Sequence, residues 1–375
     1  MSKAVYENLF KPKQLNKLKL KNRITMAPLY LGYAAQGGKI SSLLLAHYKL
    51  MAQSGAAMVV VENASITVAG SGSSHTLRCD HDRYLNGLSE LAQIIKNQKC
   101  CAALQINHAG RFAYTSEPVS ASEVAAFGKT PRRLLKREII AIQKQFAKAA
   151  LRVKKAGFDL VELHGGTGYL LSQFVSPRTN KRTDAYGGSI ENRSRFPLEV
   201  LKRVKDRVGN FPVGYRFLAH EWLPDGLKPE ESVVLAKELA KNGVAYLSVM
   251  GGTYESFFLP EVIKKSRKPG YMVSLANAVK REVNVPVIAA GRISTPARAE
   301  SILKDKKADL IGLARMLWVD PQWPSKAREG QDQAIIRCSP KCDVCFQMVM
   351  KGKPAFCPRW PKEKRNAYQQ MPTCS

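Results

Sequence analysis

The sequence predicts an α/β fold: a single (β/α)8 TIM barrel carrying a C-terminal cysteine-rich extension. Three observations lead there. Eight short apolar runs alternate with amphipathic stretches of helical length from end to end. The runs are nearly continuous in apolar character, as parallel strands covered on both faces require. No GxGxxG turn follows any of them, although a doubly wound dinucleotide-binding sheet usually carries one. Eight strand–helix units are the pattern of a closed barrel. The 375 residues divide into a barrel over 1–330 and a four-cysteine extension over 331–375.

The strand candidates begin with NRITMA near residue 22, AAMVVVE near 56, CAALQIN near 101 and FDLVELH near 158. They continue with FPVGYRF near 211, VAYLSVM near 244, VPVIAAG near 285 and ADLIGLA near 308. Between them, KREIIAIQKQFAKAALRVKKAG, SIENRSRFPLEVLKRVKDRVG and PEESVVLAKELAKNG read as amphipathic helices, each closed by a glycine stop. Two segments fall outside the repeat. Residues 108–135 form a long loop after the third strand. Residues 331–375 carry the clustered cysteines and, with no low-complexity linker before them, are expected to pack on the barrel.

Hydrophobic residues make up 45% of the chain, which fits a soluble globular protein. The N-terminal MSKAVYENLFKPKQL has no apolar signal core, and no run of apolar residues is long enough to span a bilayer. The expectation is a cytoplasmic protein with no membrane partner. The formal net charge of +29 suits either a solvated Lys/Arg surface or an anionic partner, such as an acidic electron carrier of ferredoxin or flavodoxin type or a phosphate-bearing substrate. The basic residues are spread along the chain without a zinc-finger, RNP or basic-helix signature, which argues against nucleic acid.

Active sites of such barrels lie at the C-terminal ends of the strands. Strand one ends in Ala27-Pro28-Leu29-Tyr30 and strand two in Glu62-Asn63-Ala64. Strand three ends in Gln105, followed by His108 and Arg111. Strand four ends in His164, with Thr167 and Tyr169 beyond it. Strand five ends in Arg216, strand seven in Gly291-Arg292 and strand eight in Ala314-Arg315. Glycine backbone and arginine together at adjacent strands seven and eight suit a phosphate. Arg216 and Gln105 offer a cation and an amide to one polar, planar ligand edge. In HGGTGYLLSQFVSP, glycines hold polar side chains at a strand exit where packing needs none.

The motifs LKNRITMAP, LQINHAGR, GFDLVELHGGTGYLLSQFVSPRTNKRTDAYGGSIENRSRF, AAGRIS and ADLIGLAR span most of the first 330 residues. On them the chain resembles the Old Yellow Enzyme-like NADH:flavin oxidoreductases, in the branch of bacterial 2,4-dienoyl-CoA reductase and trimethylamine dehydrogenase. The resemblance implies non-covalent FMN held by Ala27, Pro28, Leu29, Asn63, Gln105, Arg216, Gly291, Arg292, Ala314 and Arg315. It implies His164 and Thr167 facing a substrate carbonyl, Tyr169 as proton donor, and NAD(P)H as a possible electron donor. Many members carry His or Asn where this chain has Thr167. Tyr30 replaces the cysteine that bonds flavin in trimethylamine dehydrogenase. Tyr254 falls near a second acidic group of dienoyl-CoA reductase, a His.

Four of the eight cysteines, Cys338, Cys342, Cys345 and Cys357, crowd into CSPKCDVCFQMVMKGKPAFC, while Cys79, Cys100, Cys101 and Cys374 stand apart. In a cytoplasmic protein such crowding argues for metal rather than disulfides, and the spacing suits a [4Fe–4S] cluster or zinc. The related branch holds a [4Fe–4S] cluster here, with the second cysteine one residue earlier than Cys342. Those relatives continue into a region binding FAD and a nicotinamide cofactor, which this sequence does not contain.

The expected function is therefore FMN-dependent reduction of a C=C bond conjugated to a carbonyl in a small-molecule substrate, with electrons from NAD(P)H or through the cluster. Two alternatives remain: an amine dehydrogenase resembling trimethylamine dehydrogenase, and a non-catalytic electron-relay subunit. A homo-oligomer is possible.

Overall fold

The computed structural model of the chain describes residues 6–370. Eight parallel strands form the barrel: β1 (Ile24–Met26), β2 (Met58–Ser65), β3 (Cys101–Asn107), β4 (Leu160–Gly165), β5 (Val213–His220), β6 (Leu247–Gly251), β7 (Val287–Ala289) and β8 (Leu310–Leu313). Each pairs with the next in sequence, and β8 pairs with β1, Leu313 opposite Met26, so that the sheet closes without an edge. All eight strands fall where the apolar runs place them.

Barrel closure explains why these strands read as continuous apolar runs. Their outward side chains pack beneath the helices in one large core, and their inward ones fill the lumen. The three amphipathic segments form α1 (Lys136–Lys155), α2 (Ile190–Val208) and α3 (Pro229–Lys241). Helix α2 ends at Gly209, whose φ of 62° is left-handed backbone that an L side chain adopts only at a cost. An element absent from the sequence reading closes the floor. An antiparallel hairpin, Lys13–Leu15 with Leu18–Leu20, presses Leu15 and Leu20 against the inward Met58, Ala103, Leu160, Tyr246, Ile288 and Leu310. With the N-terminal end plugged, the lumen is open to ligands only at the other end.

The loop after β3 contains a short helical turn, Gly110–Phe112, and a two-residue parallel pair, Val119–Ser120 with Arg132–Arg133. The tail beyond residue 331 packs on the barrel. Ile335, Ala355, Cys357 and Trp360 join the main core, and the Trp360 ring meets Trp318 edge-on at 4.9 Å. Its backbone is tied to the strand-one exit. Ala355 N–H donates to Leu31 O at 2.9 Å, and the Tyr33 hydroxyl donates to Ala355 O at 2.6 Å. The tail thus covers one side of the barrel's C-terminal face. No helix among the described residues is long and apolar enough to cross a membrane.

Candidate active site

A cavity of about 500 Å³ opens at the C-terminal ends of the strands, lined by Pro28, Leu29, Tyr30, Asn63, Gln105, His164, Thr167, Tyr169, Arg216 and Tyr254, among others. Strand alternation and register put these side chains together. Arg216 pairs with His164 on β4 and Ser248 on β6, and Gln105 pairs with Glu162, so their side chains rise on one inner face.

Below the cavity, Glu162 organises the inner polar layer. Fully buried, it accepts from Gln105 Nε2 at 2.7 Å and from the Tyr246 hydroxyl at 2.8 Å. Burial raises its pKa, and the Arg216 guanidinium opposes that rise. Because the Gln105 amide NH₂ is committed to Glu162, its Oε1 is the end left to accept a hydrogen bond. Arg216 gives one N–H to Ser248 Oγ at 2.8 Å and keeps the rest of its donor fork. The cavity wall therefore offers an acceptor beside a charged donor. Glu162 and Ser248 are absent from the sequence reading. Their signal is a polar residue inside an otherwise apolar strand, as in FDLVELH and VAYLSVM.

His164 is buried, and its Nδ1 accepts from the Gly166 N–H at 3.2 Å. Burial lowers its pKa well below the ordinary histidine value, with Arg216 adding to the effect, so the ring stays neutral. With Nδ1 an acceptor, the proton of the neutral ring sits on Nε2, which becomes a donor. The glycines around it are needed for space: a Cβ on Gly166 would stand 2.5 Å from Met250 Sδ. Thr167 holds a φ of 60°, uncommon for a β-branched residue, and its hydroxyl donates only to Met250 Sδ, at 3.5 Å. A strained residue with a weakly used hydroxyl at a cavity wall is the kind of outlier that marks a working site.

The Tyr169 ring stands edge-on to His164 at 4.9 Å, and its hydroxyl lies 2.8 Å from that of Tyr254. Burial pushes both phenols above their ordinary pKa, Tyr169 well above it. Within electrostatic reach of both, the Tyr30 hydroxyl meets Ser73 Oγ at 2.6 Å. Of the loop residues singled out in the sequence, Arg111 lines the cavity and is ion-paired to Glu255, while His108 is buried with Nδ1 accepting from Gly110 N–H.

Ala27, Gly291, Arg292, Ala314 and Arg315 stand at the ends of β1, β7 and β8 and do not line this cavity. Ala27 N–H is tied to Leu313 O at 2.9 Å. Tyr271 feels Arg315, Arg292 and Arg216, which places the three cations around one side of the barrel mouth. Among the described residues neither Arg292 nor Arg315 forms an ion pair with a carboxylate. Gly291 has a φ of 101°, and a Cβ there would meet Met272 at 3.0 Å. Ala314 caps the short helix Arg315–Val319.

Next to these arginines lies the cysteine segment. Cys338, Cys342 and Cys345 are half-buried, Cys357 is buried, and none is in a disulfide. Burial raises the Cys345 and Cys357 thiols, and each also feels Cys338 and Cys342. Arg315 acts on Cys345, and Arg292 is hydrogen-bonded to and feels Cys338. No three His, Cys, Asp or Glu side chains among the described residues are grouped so as to hold a metal ion. Cys374 lies outside the described residues.

Comparison with known proteins matches residues 8–334 to the NADH:flavin oxidoreductase / NADH oxidase family. The chain is 40% identical over 343 residues to an NADH oxidase of Thermoanaerobacter brockii, covering 89% of this chain and 52% of that protein. It is 37% identical over 311 residues to an NADPH dehydrogenase of Halalkalibacterium halodurans, covering 82% and 90%. It superposes on a 2-naphthoyl-CoA reductase with a TM-score of 0.91 at 27% identity, covering 96% of this chain and 57% of that one. The chain thus spans about half the length of the NADH oxidase and most of the NADPH dehydrogenase.

Proposed function

Since the chain belongs to the NADH:flavin oxidoreductase / NADH oxidase family, we propose that it binds FMN in the barrel mouth and reduces a C=C bond conjugated to a carbonyl, with NAD(P)H as electron donor. The observation that carries this reading is the pairing of a neutral His164, its Nε2–H free to donate, with a protonated Tyr169 at one cavity wall.

The residues present fit FMN. Gln105 Oε1 and the Arg216 fork match a ring edge that alternates donor and acceptor, and Pro28 and Leu29 give an apolar wall. At the ends of β7 and β8, Gly291 keeps bare backbone where a Cβ would press on Met272, and Arg292 and Arg315 supply cations without a carboxylate partner for a phosphate. Bound FMN supplies the hydride chemistry. The protein's part is to orient and polarise. His164 Nε2–H and the Thr167 hydroxyl donate to the substrate carbonyl oxygen and stabilise the charge that gathers there. Tyr169, held uncharged by burial, delivers its phenolic proton to the α-carbon.

We further assign Cys338, Cys342, Cys345 and Cys357 to a [4Fe–4S] cluster. Cys345 and Cys357 each feel Cys338 and Cys342, although no three of these side chains are grouped so as to hold one metal ion. The spacing in CSPKCDVCFQMVMKGKPAFC suits a [4Fe–4S] cluster or zinc, and the resemblance to the cluster-bearing branch favours iron. A basic surface of this size would favour an acidic electron carrier as partner.

The test is substrate screening of FMN-loaded protein in both directions under anaerobic conditions. Formation of saturated ketone from enone at the expense of NADH or NADPH supports the reading. Amine oxidation without any enone reduction would overturn it.

A further inference from the structure

The cavity does not end at the polar pair. Above Tyr169 and Tyr254 an unbroken series of aromatic rings climbs to the surface. Phe112 meets Tyr254 at 5.4 Å and Phe127 at 5.6 Å; Phe127 meets Phe258 at 6.1 Å; Phe258 meets Phe346 at 5.9 Å. Three separate segments contribute. Phe112 and Phe127 come from the loop after β3, and Tyr254 and Phe258 from the loop after β6. Phe346 comes from the tail helix Val344–Met350. On that helix Phe346, Val349 and Met350, spaced three and four apart, turn one face to the cavity.

These rings are not there to make a core. Phe127 is 61% exposed, Phe258 49% and Met350 57%. Scattered exposed apolar residues need no explanation, but a contiguous set at the mouth of a cavity is the mark of a ligand surface. Tyr254 and Phe112 join it to Tyr169 at the base, so an occupant whose carbonyl is anchored at His164 extends along these rings. Flat rings offer stacking and edge contacts to a flat partner, and little to a compact polar one.

We propose that Phe112, Phe127 and Phe346, with Phe258 packed against the last two, form a specificity slot that selects substrates bearing an aromatic or polycyclic body beyond the conjugated carbonyl. The cysteine-bearing tail supplies one wall of that slot through Phe346. This rests on the enone reading for the polar end, while the slot itself is a binding surface whatever reaction occurs below it.

The test compares trans-chalcone, a planar diaryl enone, with cyclohex-2-en-1-one. The kcat/KM ratio of the first to the second should fall about tenfold in Phe346→Ala and further in Phe127→Ala/Phe346→Ala, and Phe346→Tyr, which keeps the ring, should retain it. Titration of the oxidised holoenzyme with 2-naphthol, followed calorimetrically, should weaken in the same order. Unchanged ratios and unchanged naphthol affinity in both alanine variants would overturn the slot. If neither enone reoxidises the flavin in wild type while naphthol binding still follows the ring substitutions, the enone reading fails and the slot stands.

Discussion

The Tyr169 and Tyr254 hydroxyls lie 2.8 Å apart, so the phenol proposed as proton donor is itself hydrogen-bonded to a second phenol. Removing the Tyr254 hydroxyl leaves Tyr169 without that partner. Tyr254→Phe should slow flavin reoxidation by an enone by roughly 3- to 10-fold, the kinetic equivalent of one ordinary hydrogen bond. Flavin reduction should be unaffected. Stopped-flow absorbance of the two half-reactions checks this; a loss as large as that of Tyr169→Phe would make Tyr254 the donor.

Arg315 stands at a helix start with no carboxylate to neutralise it. Arg315→Ala removes one of the two cations proposed to hold the phosphate, a charge-assisted contact worth roughly 1.5–3 kcal/mol. Flavin occupancy after dialysis should drop, and the flavin released from wild type on denaturation should be FMN. Stoichiometric FAD would contradict the assignment.

Neither Cys345 nor Cys357 lines the cavity. Protein purified anaerobically should contain about four irons per chain, the content of one [4Fe–4S] cluster. Cys345→Ala and Cys357→Ala should each abolish the iron and leave FMN bound. Stoichiometric zinc in native protein would decide against the cluster.

Two buried groups near the tail should pull stability in opposite directions with pH. His47 is fully buried and its pKa is lowered to about 3, first by burial and then by Lys364. The unfolded ring titrates near 6.5. Between those values the unfolded state binds the extra proton, so this contribution is lost as pH falls from about 6.5 to about 3. Glu62 is fully buried, and burial raises its pKa to about 8 against the lowering effect of the Leu31 backbone and the Tyr48 hydroxyl. Here the native state holds the extra proton, so stability is lost as pH rises from about 4.5 to about 8. The two slopes oppose each other between about 4.5 and about 6.5, so in urea midpoints across pH 4–8 His47→Gln should leave stability falling from about 4.5 upward, and Glu62→Gln should leave it rising up to about 6.5. Parallel curves for wild type and both variants would contradict this.

The barrel was legible because closure imposes one rule on all eight strands: buried on both faces, hence apolar runs such as AAMVVVE. The positions of His164, Tyr169, Arg216 and Gln105 at the mouth followed from reading strand ends. The floor hairpin was not legible, since Lys13–Leu15 and Leu18–Leu20 are too short to show alternation and only their contacts with the lumen give them a role. Glu162 was passed over because a lone acid in an apolar strand reveals its purpose only when Gln105 and Tyr246 are seen to meet it. The aromatic series had no sequence signal at all: Phe112, Phe258 and Phe346 are far apart in the chain and are joined only by folding.

The central claim is that Tyr169 donates the proton that completes reduction of a carbonyl-conjugated C=C bond. Tyr169→Phe deletes the hydroxyl and keeps the ring against His164. In anaerobic stopped-flow, reduction of the variant's flavin by NAD(P)H should run at nearly the wild-type rate, while reoxidation by cyclohex-2-en-1-one should slow by about 10²–10⁴-fold. Equal slowing of both half-reactions, or no change in either, would contradict the account.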